Sequence, residues 1–195
     1  MNNIKNLFSV LILYKNLNLN LKNIKNFCDS FKKKDKGIQR SNVGGFQSKD
    51  LYFKKENIKV LEDEIILNIK ELLNNYKFKK QIQPFISNIW INYNNKFDYN
   101  TRHIHSDSIF SGVYYVQCDL DKPANISFFH PGHDLINCLW KSNYVENFIE
   151  CNSPLWSYIP VPNLLILFPS WIYHQVEPNR SKKTRISISF DINLK

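Results

Sequence analysis

The stretch TRHIHSDSIF, residues 101–110, sets His103, His105 and Asp107 at alternate positions and runs straight into an extended, aromatic segment. Side chains at i and i+2 of a strand point the same way, so two imidazoles at an open strand end can converge on one ion, with Asp107 continuing the line. Two histidines alone make a weak site, and a third donor must come from elsewhere. The candidate is His174 in FPSWIYHQVEPN, within a late strand flanked by Pro169 and Pro178. Eleven residues on, RISISFDI places Arg185, Ser187 and Ser189 on one strand face and Ile186, Ile188 and Phe190 on the other. The apolar face needs a core, and the polar face must be satisfied by something. One solution pairs Arg185 with a structural carboxylate. The other is a two-pronged seat for a dicarboxylate beside the metal, because a guanidinium grips a carboxylate bidentately and a hydroxyl adds a donor.

These residues need elements to position them. NLKNIKNFCDSFKKK carries Leu21, Ile24, Phe27, Cys28 and Phe31 at helical steps, and NIKVLEDEIILNIKELLNNY puts Ile58, Leu61, Ile65, Ile69, Leu72 and Leu73 on one face. LFSVLILY, residues 7–14, is read as a strand ahead of them. From about residue 81 the pattern changes to short runs of Ile, Val, Phe, Tyr and Trp separated by Pro, Gly, Asn and Asp. Strands are predicted near 83–93, 109–117, 124–130, 155–160, 164–168, 171–177 and 185–192. Such spacing without intervening helices favours a sandwich or barrel, with the helices packed on one outer face. KKKDKGIQRSNVGGFQSKD reads as a loop in which Gly44 and Gly45 permit a tight turn.

A chain of 195 residues with 43% hydrophobic content can bury one sizeable core. One domain over 1–195 is expected: 1–80 as N-terminal strand and packing helices, 81–195 as the β core. The net charge of +9 would suit an anionic partner, but the lysines are scattered apart from Lys32, Lys33, Lys34 and Lys36. Nucleic acid is therefore not the expected partner. Cys28, Cys118, Cys138 and Cys151 form no CxxC pair or zinc spacing, which argues for a reducing compartment. No segment is long and apolar enough for a membrane span.

The ordered blocks SNVGGFQS, WINYN, HIHSDSIFSGVYYV, FPSWIYHQVEPN and RISISFDI resemble the 2-oxoglutarate- and Fe(II)-dependent oxygenases, in a prolyl-hydroxylase-like branch found in bacteria and their phages. The resemblance spans roughly residues 40–193. It implies a mainly β, α+β fold: a double-stranded β-helix (jelly-roll, cupin-like) core carrying N-terminal helices. It also implies Fe(II), 2-oxoglutarate as cosubstrate and O2, with iron usually held by two histidines and a carboxylate. His174 matches the late histidine, and Arg185 with Ser187 the seat for the distal carboxylate of 2-oxoglutarate. Two assignments of the other ligands stay open. Either His103 and His105 both bind iron, the preferred set, with Asp107 acting electrostatically from outside, or His105 and Asp107 are the pair. Departures from the pattern are Ser106 for Pro, Phe46 for Trp and Asn163 for Gly; Asn tolerates positive φ, so that turn survives. In SGVYYV only one tyrosine can face the cavity, and the resemblance to prolyl hydroxylases selects Tyr115. Asn92 is a further candidate lining residue.

His130 and His133 in HPGHD are too few for a second metal site, and 133–152 is read as a lid. The activity implied is hydroxylation of a C–H bond of a small molecule or peptide side chain, with release of succinate and CO2, in the cytoplasm of a bacterial or phage-infected cell. The competing reading is a cupin-like metalloprotein, a three-His dioxygenase or isomerase, that does not use 2-oxoglutarate. Oligomeric state is not legible.

Overall fold

The computed structural model describes residue 4, residues 7–51 and residues 58–195. The two helically spaced stretches form α1 (Leu21–Lys32) and α2 (Lys59–Asn75). The Asn20 side chain caps α1 by accepting the N–H of Asn23 at 3.2 Å, one of the donors a first helical turn leaves unpaired. On α2 the residues picked out by spacing, Leu61, Ile65, Ile69, Leu72 and Leu73, are all buried. Each contributes about 1.5–3 kcal/mol of transfer free energy. A third, short helix, α3, spans His133–Leu139. Among the described residues no helix is long and apolar enough to cross a membrane.

The strands are β1 (Leu13–Asn16), β2 (Asn42–Val43), β3 (Phe46–Gln47), β4 (Pro84–Asn94), β5 (Tyr99–His103), β6 (Phe110–Gln117), β7 (Ile126–Phe129), β8 (Leu155–Tyr158), β9 (Leu164–Pro169), β10 (His174–Val176) and β11 (Arg185–Leu194). They form two antiparallel sheets, of order β1-β9-β6-β11-β4-β3 and β2-β5-β10-β7-β8. The sheets face one another: Val113, Tyr115, Ile166 and Phe168 of the larger meet Ile126 and Phe128 of the smaller, with Phe128 and Phe168 rings 4.9 Å apart. Across the larger sheet the alternate residues, among them Ile89, Ile91, Tyr114, Leu165, Ile186, Ile188 and Phe190, join the apolar faces of α1 and α2. This is the mainly β sandwich with helices on one outer face that the sequence predicts.

Besides β5, which lies outside the predicted strands, three features differ from expectation. The N-terminal strand begins only at Leu13. Antiparallel continuation toward the N-terminus would bring Leu11 level with Pro169, where β9 ends and no N–H is available. Leu11 bonds the Tyr76 hydroxyl instead, donating its N–H at 2.8 Å and accepting at 3.3 Å. The strand predicted at 171–177 is shortened to three residues by the turn that follows Pro169. And the loop around Gly44 and Gly45 contains β2 and β3, which belong to different sheets. The crossing between them needs positive φ at both glycines, 65° and 66°, and a Cβ on Gly44 would sit 2.1 Å from the Asp98 carboxylate.

Asn163 takes the left-handed conformation foreseen for it, φ 71°, and its side chain adds what a glycine lacks. Its Oδ1 accepts from Leu19 N–H (2.8 Å) and from the Tyr114 hydroxyl (2.5 Å), and its Nδ2 donates to Leu19 O (3.3 Å). Replacing Asn163 by Gly should keep the turn but strand the Tyr114 hydroxyl. A loss of about 1–3 kcal/mol is expected. It is read as a lower thermal midpoint, at roughly 2–4 °C per kcal/mol.

Candidate metal centre

Strands β5 and β10 are neighbours in the smaller sheet, and their register sets His103 directly opposite His174. His103 is the last residue of β5, while His105 lies beyond the strand, its N–H donating to Ser170 O at 3.0 Å. Ring centroids are 4.3 Å apart for His103–His174 and 5.2 Å for both His103–His105 and His105–His174. One ring nitrogen from each lies within 4.8 Å of the others, the only such group of three or more possible metal-binding side chains among the described residues. Asp107 is exposed and contributes no atom to it; its carboxylate meets the Ser106 hydroxyl at 3.5 Å and its main-chain carbonyl accepts from Asn193 Nδ2 at 3.0 Å.

The outer nitrogens of the three rings are all engaged. His103 Nδ1 meets Thr101 O at 2.6 Å, His174 Nδ1 meets Ile172 O at 3.1 Å, and His105 Nδ1 meets Asp191 Oδ1 at 2.8 Å. These oxygens only accept, so each Nδ1 carries the proton and each Nε2 keeps its lone pair for a cation. Burial pushes the His103 pKa down, and burial with the neighbouring His103 and His105 pushes that of His174 well down. Both are therefore neutral at ordinary pH, the state in which imidazole binds metal.

The histidines open on a cavity of about 50 Å³, room for about four waters, whose lining includes Asn92, Tyr115, Arg185 and Ser187. Alternation along β6 turns Tyr115 into it and Tyr114 onto the helix-covered face. Ser187 is level with Tyr115 on the adjoining strand. Arg185 is 4% exposed; one guanidinium nitrogen donates to Ala124 O at 3.1 Å, and among the described residues no carboxylate pairs with it. Its Nε and the Tyr115 hydroxyl are buried without hydrogen-bond partners. Burial lowers the Arg185 pKa and raises that of Tyr115, the latter held back by the nearby guanidinium. A buried cation with orphaned donors is costly unless an anion completes it. That fits a carboxylate-bearing ligand. Asn92 bonds Ser189 at 2.9 Å beside this seat. On the outer side, a groove of about 800 Å³ shares Ser41, Trp90, His103 and His105 with the cavity.

The remaining candidates are not drawn in. His130 accepts the N–H of Gly132 at 2.9 Å within the turn and His133 meets Pro154 O at 2.9 Å, so both rings of HPGHD are engaged away from the metal centre. The stretch 133–152, expected as a lid, forms α3 and a 3-10 turn and lines neither the cavity nor the groove. Sequence reasoning missed Asp191. The signal was present, since it continues the polar alternation of Arg185, Ser187 and Ser189 by one more step.

A family model described as "Putative 2OG-Fe(II) oxygenase" matches residues 88–191, the span holding all these residues. No curated protein matches the chain. Among solved structures, the viral collagen prolyl hydroxylase of Paramecium Bursaria Chlorella virus-1, a 2OG complex, superposes with a TM-score of 0.59 at 13% identity over 93% of this chain and 94% of that one. HygX from Streptomyces hygroscopicus, with nickel and 2-oxoglutarate bound, gives 0.59 at 9% identity over 93% and 82%. An oxidoreductase of the 2OG-Fe(II) oxygenase family from Burkholderia pseudomallei matches at 18% identity and a TM-score of 0.45 over 60% of this chain, which spans about half, 48%, of its length. The two fuller superpositions identify the two-sheet core as a jelly roll, and with more than half of its length matched by the family model, the chain belongs to the 2OG-Fe(II) oxygenase family.

Proposed function

We propose that the protein is a 2-oxoglutarate- and Fe(II)-dependent dioxygenase that hydroxylates a C–H bond of a small molecule or peptide side chain. His103, His105 and His174 hold the iron on this reading, and Arg185, Ser187 and Tyr115 receive the distal carboxylate of 2-oxoglutarate. The observation that carries it is the buried Arg185 guanidinium, its Nε unpaired and with no carboxylate bonded to it among the described residues, beside the orphaned Tyr115 hydroxyl in the cavity the three histidines share. A metal-binding module without a dicarboxylate has no use for them. Iron and 2-oxoglutarate together supply the oxidising chemistry, consuming O2 and giving succinate, CO2 and the hydroxylated product. The chain supplies neutral donors, the carboxylate seat, and walls of Val113, Ile126, Phe168 and Val176 that keep water out. Substrate enters by the groove, whose rim mixes Arg40 and Lys49 with Asp107. The kinship with a prolyl hydroxylase and with HygX, which is also seen with hygromycin B bound, leaves both substrate classes open. A reducing cytoplasm suits ferrous iron and the free cysteines.

Anaerobic addition of Fe(II) and 2-oxoglutarate should produce the weak visible charge-transfer band of chelated ferrous iron. In Arg185→Ala the band should persist at saturation with 2-oxoglutarate affinity reduced roughly 10–100-fold, the loss of a charged hydrogen-bonded pair. Iron binding with no band in wild type would instead favour the metalloprotein that ignores 2-oxoglutarate.

Calorimetric titration distinguishes the two ligand sets. His174→Ala should abolish tight metal binding, and Asp107→Asn should leave affinity within about threefold of wild type, since a removed ligand costs far more than a remote charge. A large loss in Asp107→Asn would move the carboxylate onto the metal.

Acid should weaken the metal-free protein in a defined window. Unfolded histidines take up protons near 6.5, while His103 and His174 in the folded state do so only at lower pH. Their contribution to stability is thus complete above about pH 6.5 and is lost as pH falls through the depressed folded values. Thermal midpoints measured from pH 8 to pH 5 should be level at first and then decline.

A further inference from the structure

The three facing rings are not held alike. His103 and His174 are placed by strand pairing, and their Nδ1 protons go to main-chain carbonyls two residues back. His105 stands beyond the end of β5, and its Nδ1 proton goes to a carboxylate, that of Asp191. Asp191 reaches it from the opposite sheet, at the site on β11 where the pairing with β4 slips by one residue. The extra residue there is Ser87 on β4, so β11 keeps its alternation and Asp191 stays on the face of Arg185, Ser187 and Ser189. The carboxylate is itself fixed: the Ser111 hydroxyl donates to Oδ1 at 2.9 Å and lies 2.7 Å from the Ser170 hydroxyl, which in turn lies 2.7 Å from that of Ser108. Ser170 also supplies the carbonyl that takes the His105 N–H. Main chain and ring of His105 are therefore anchored in one cluster, and the Trp90 ring stacks against it at 5.8 Å.

We propose that Asp191 is the positioning residue of the metal centre. It turns His105 so that Nε2 faces the cation, and through the Nδ1 hydrogen bond it supplies the negative charge that three neutral imidazoles lack. A carboxylate drawing on the Nδ1 proton raises electron density at Nε2, which neutral carbonyls do more weakly. Asp107, two residues from His105, makes no such bond. The proposal rests on the metal-centre reading above but not on 2-oxoglutarate.

The test is anaerobic titration of the metal-free full chain with Co(II), followed by calorimetry and by the visible Co(II) bands, in wild type, Asp191→Asn and Ser111→Ala. Asn keeps the shape and can still accept the ring proton but removes the charge. Its Co(II) dissociation constant should rise about 10–100-fold, with shifted Co(II) bands and a metal-free thermal midpoint near that of wild type. The Fe(II)–2-oxoglutarate band should move to shorter wavelength as the iron loses donor strength. Ser111→Ala, which loosens Asp191 without touching a histidine, should weaken Co(II) binding a few-fold. Affinity and bands within twofold and unshifted in Asp191→Asn overturn the proposal, as does a loss of affinity that only follows a loss of folding. Should Asp191→Asn not fold, unchanged Co(II) binding in Ser111→Ala overturns it, and weakened binding upholds it. A wild type that binds Co(II) but never answers to 2-oxoglutarate sinks the oxygenase reading and leaves Asp191 in its role. A wild type that binds no Co(II) sinks both.

Discussion

Side chains alternate along a strand, so sliding β10 by one residue against β5 would turn His174 outward while leaving His103 facing in. The register between these two short strands is what the centre depends on, and several devices enforce it. β10 is also paired to β7, where His174 is level with Phe128, so the same three residues answer to two neighbours at once. Phe168 from the facing sheet packs edge-on against the His174 ring at 4.7 Å. Pro169 ends β9 just before the turn into β10, which fixes where the new strand can begin. A strand of three residues would be a weak element alone. Held on both edges and capped by an aromatic ring, it is a rigid mount.

The larger sheet solves a different problem, since it must be apolar on one side and polar on the other. β11 and β6 carry this out residue by residue: Ile186, Ile188, Phe190 and Tyr114 meet the helices, while Arg185, Ser187 and Tyr115 face the cavity. Burying a guanidinium with one carbonyl partner among the described residues costs stability that the helix-covered face must offset. The molecule carries the polar seat because α1 and α2 make the reverse side of the same strands a well-packed core.

Much of this was legible in the sequence where a short-range period carried it. The face of α2 and the two faces of β11 follow from steps of 3.6 or 2 residues, and the same alternation leaves one tyrosine of Tyr114 and Tyr115 for the cavity, Tyr115 being chosen by the family resemblance. The left-handed turn at Asn163 followed from the glycine that the resembled family carries there and from the tolerance of Asn for positive φ. What escaped notice depends on distant partners. β2 and β3 are two residues each, and β5 is polar throughout; they are strands because other strands lie beside them. Likewise LFSVLILY has strand composition, but its early part finds no free edge and turns to the Tyr76 hydroxyl. Asp107 looked like the acid of the site because it is near in sequence. Asp191 is near in space; the alternation of β11 gave its face, but only the packing of the two sheets brings that face to His105.

One consequence follows from Arg185 and Asp191 sharing a strand face. They stand six residues apart, a span of roughly 20 Å along a strand at about 3.3 Å per residue. One sits at the carboxylate seat and the other at the ring of His105. A strand paired on both sides neither stretches nor slides, so β11 acts as a ruler with the two groups as its marks. On the proposed reading the ruler holds the carboxylate seat and the ring of His105 at one fixed separation.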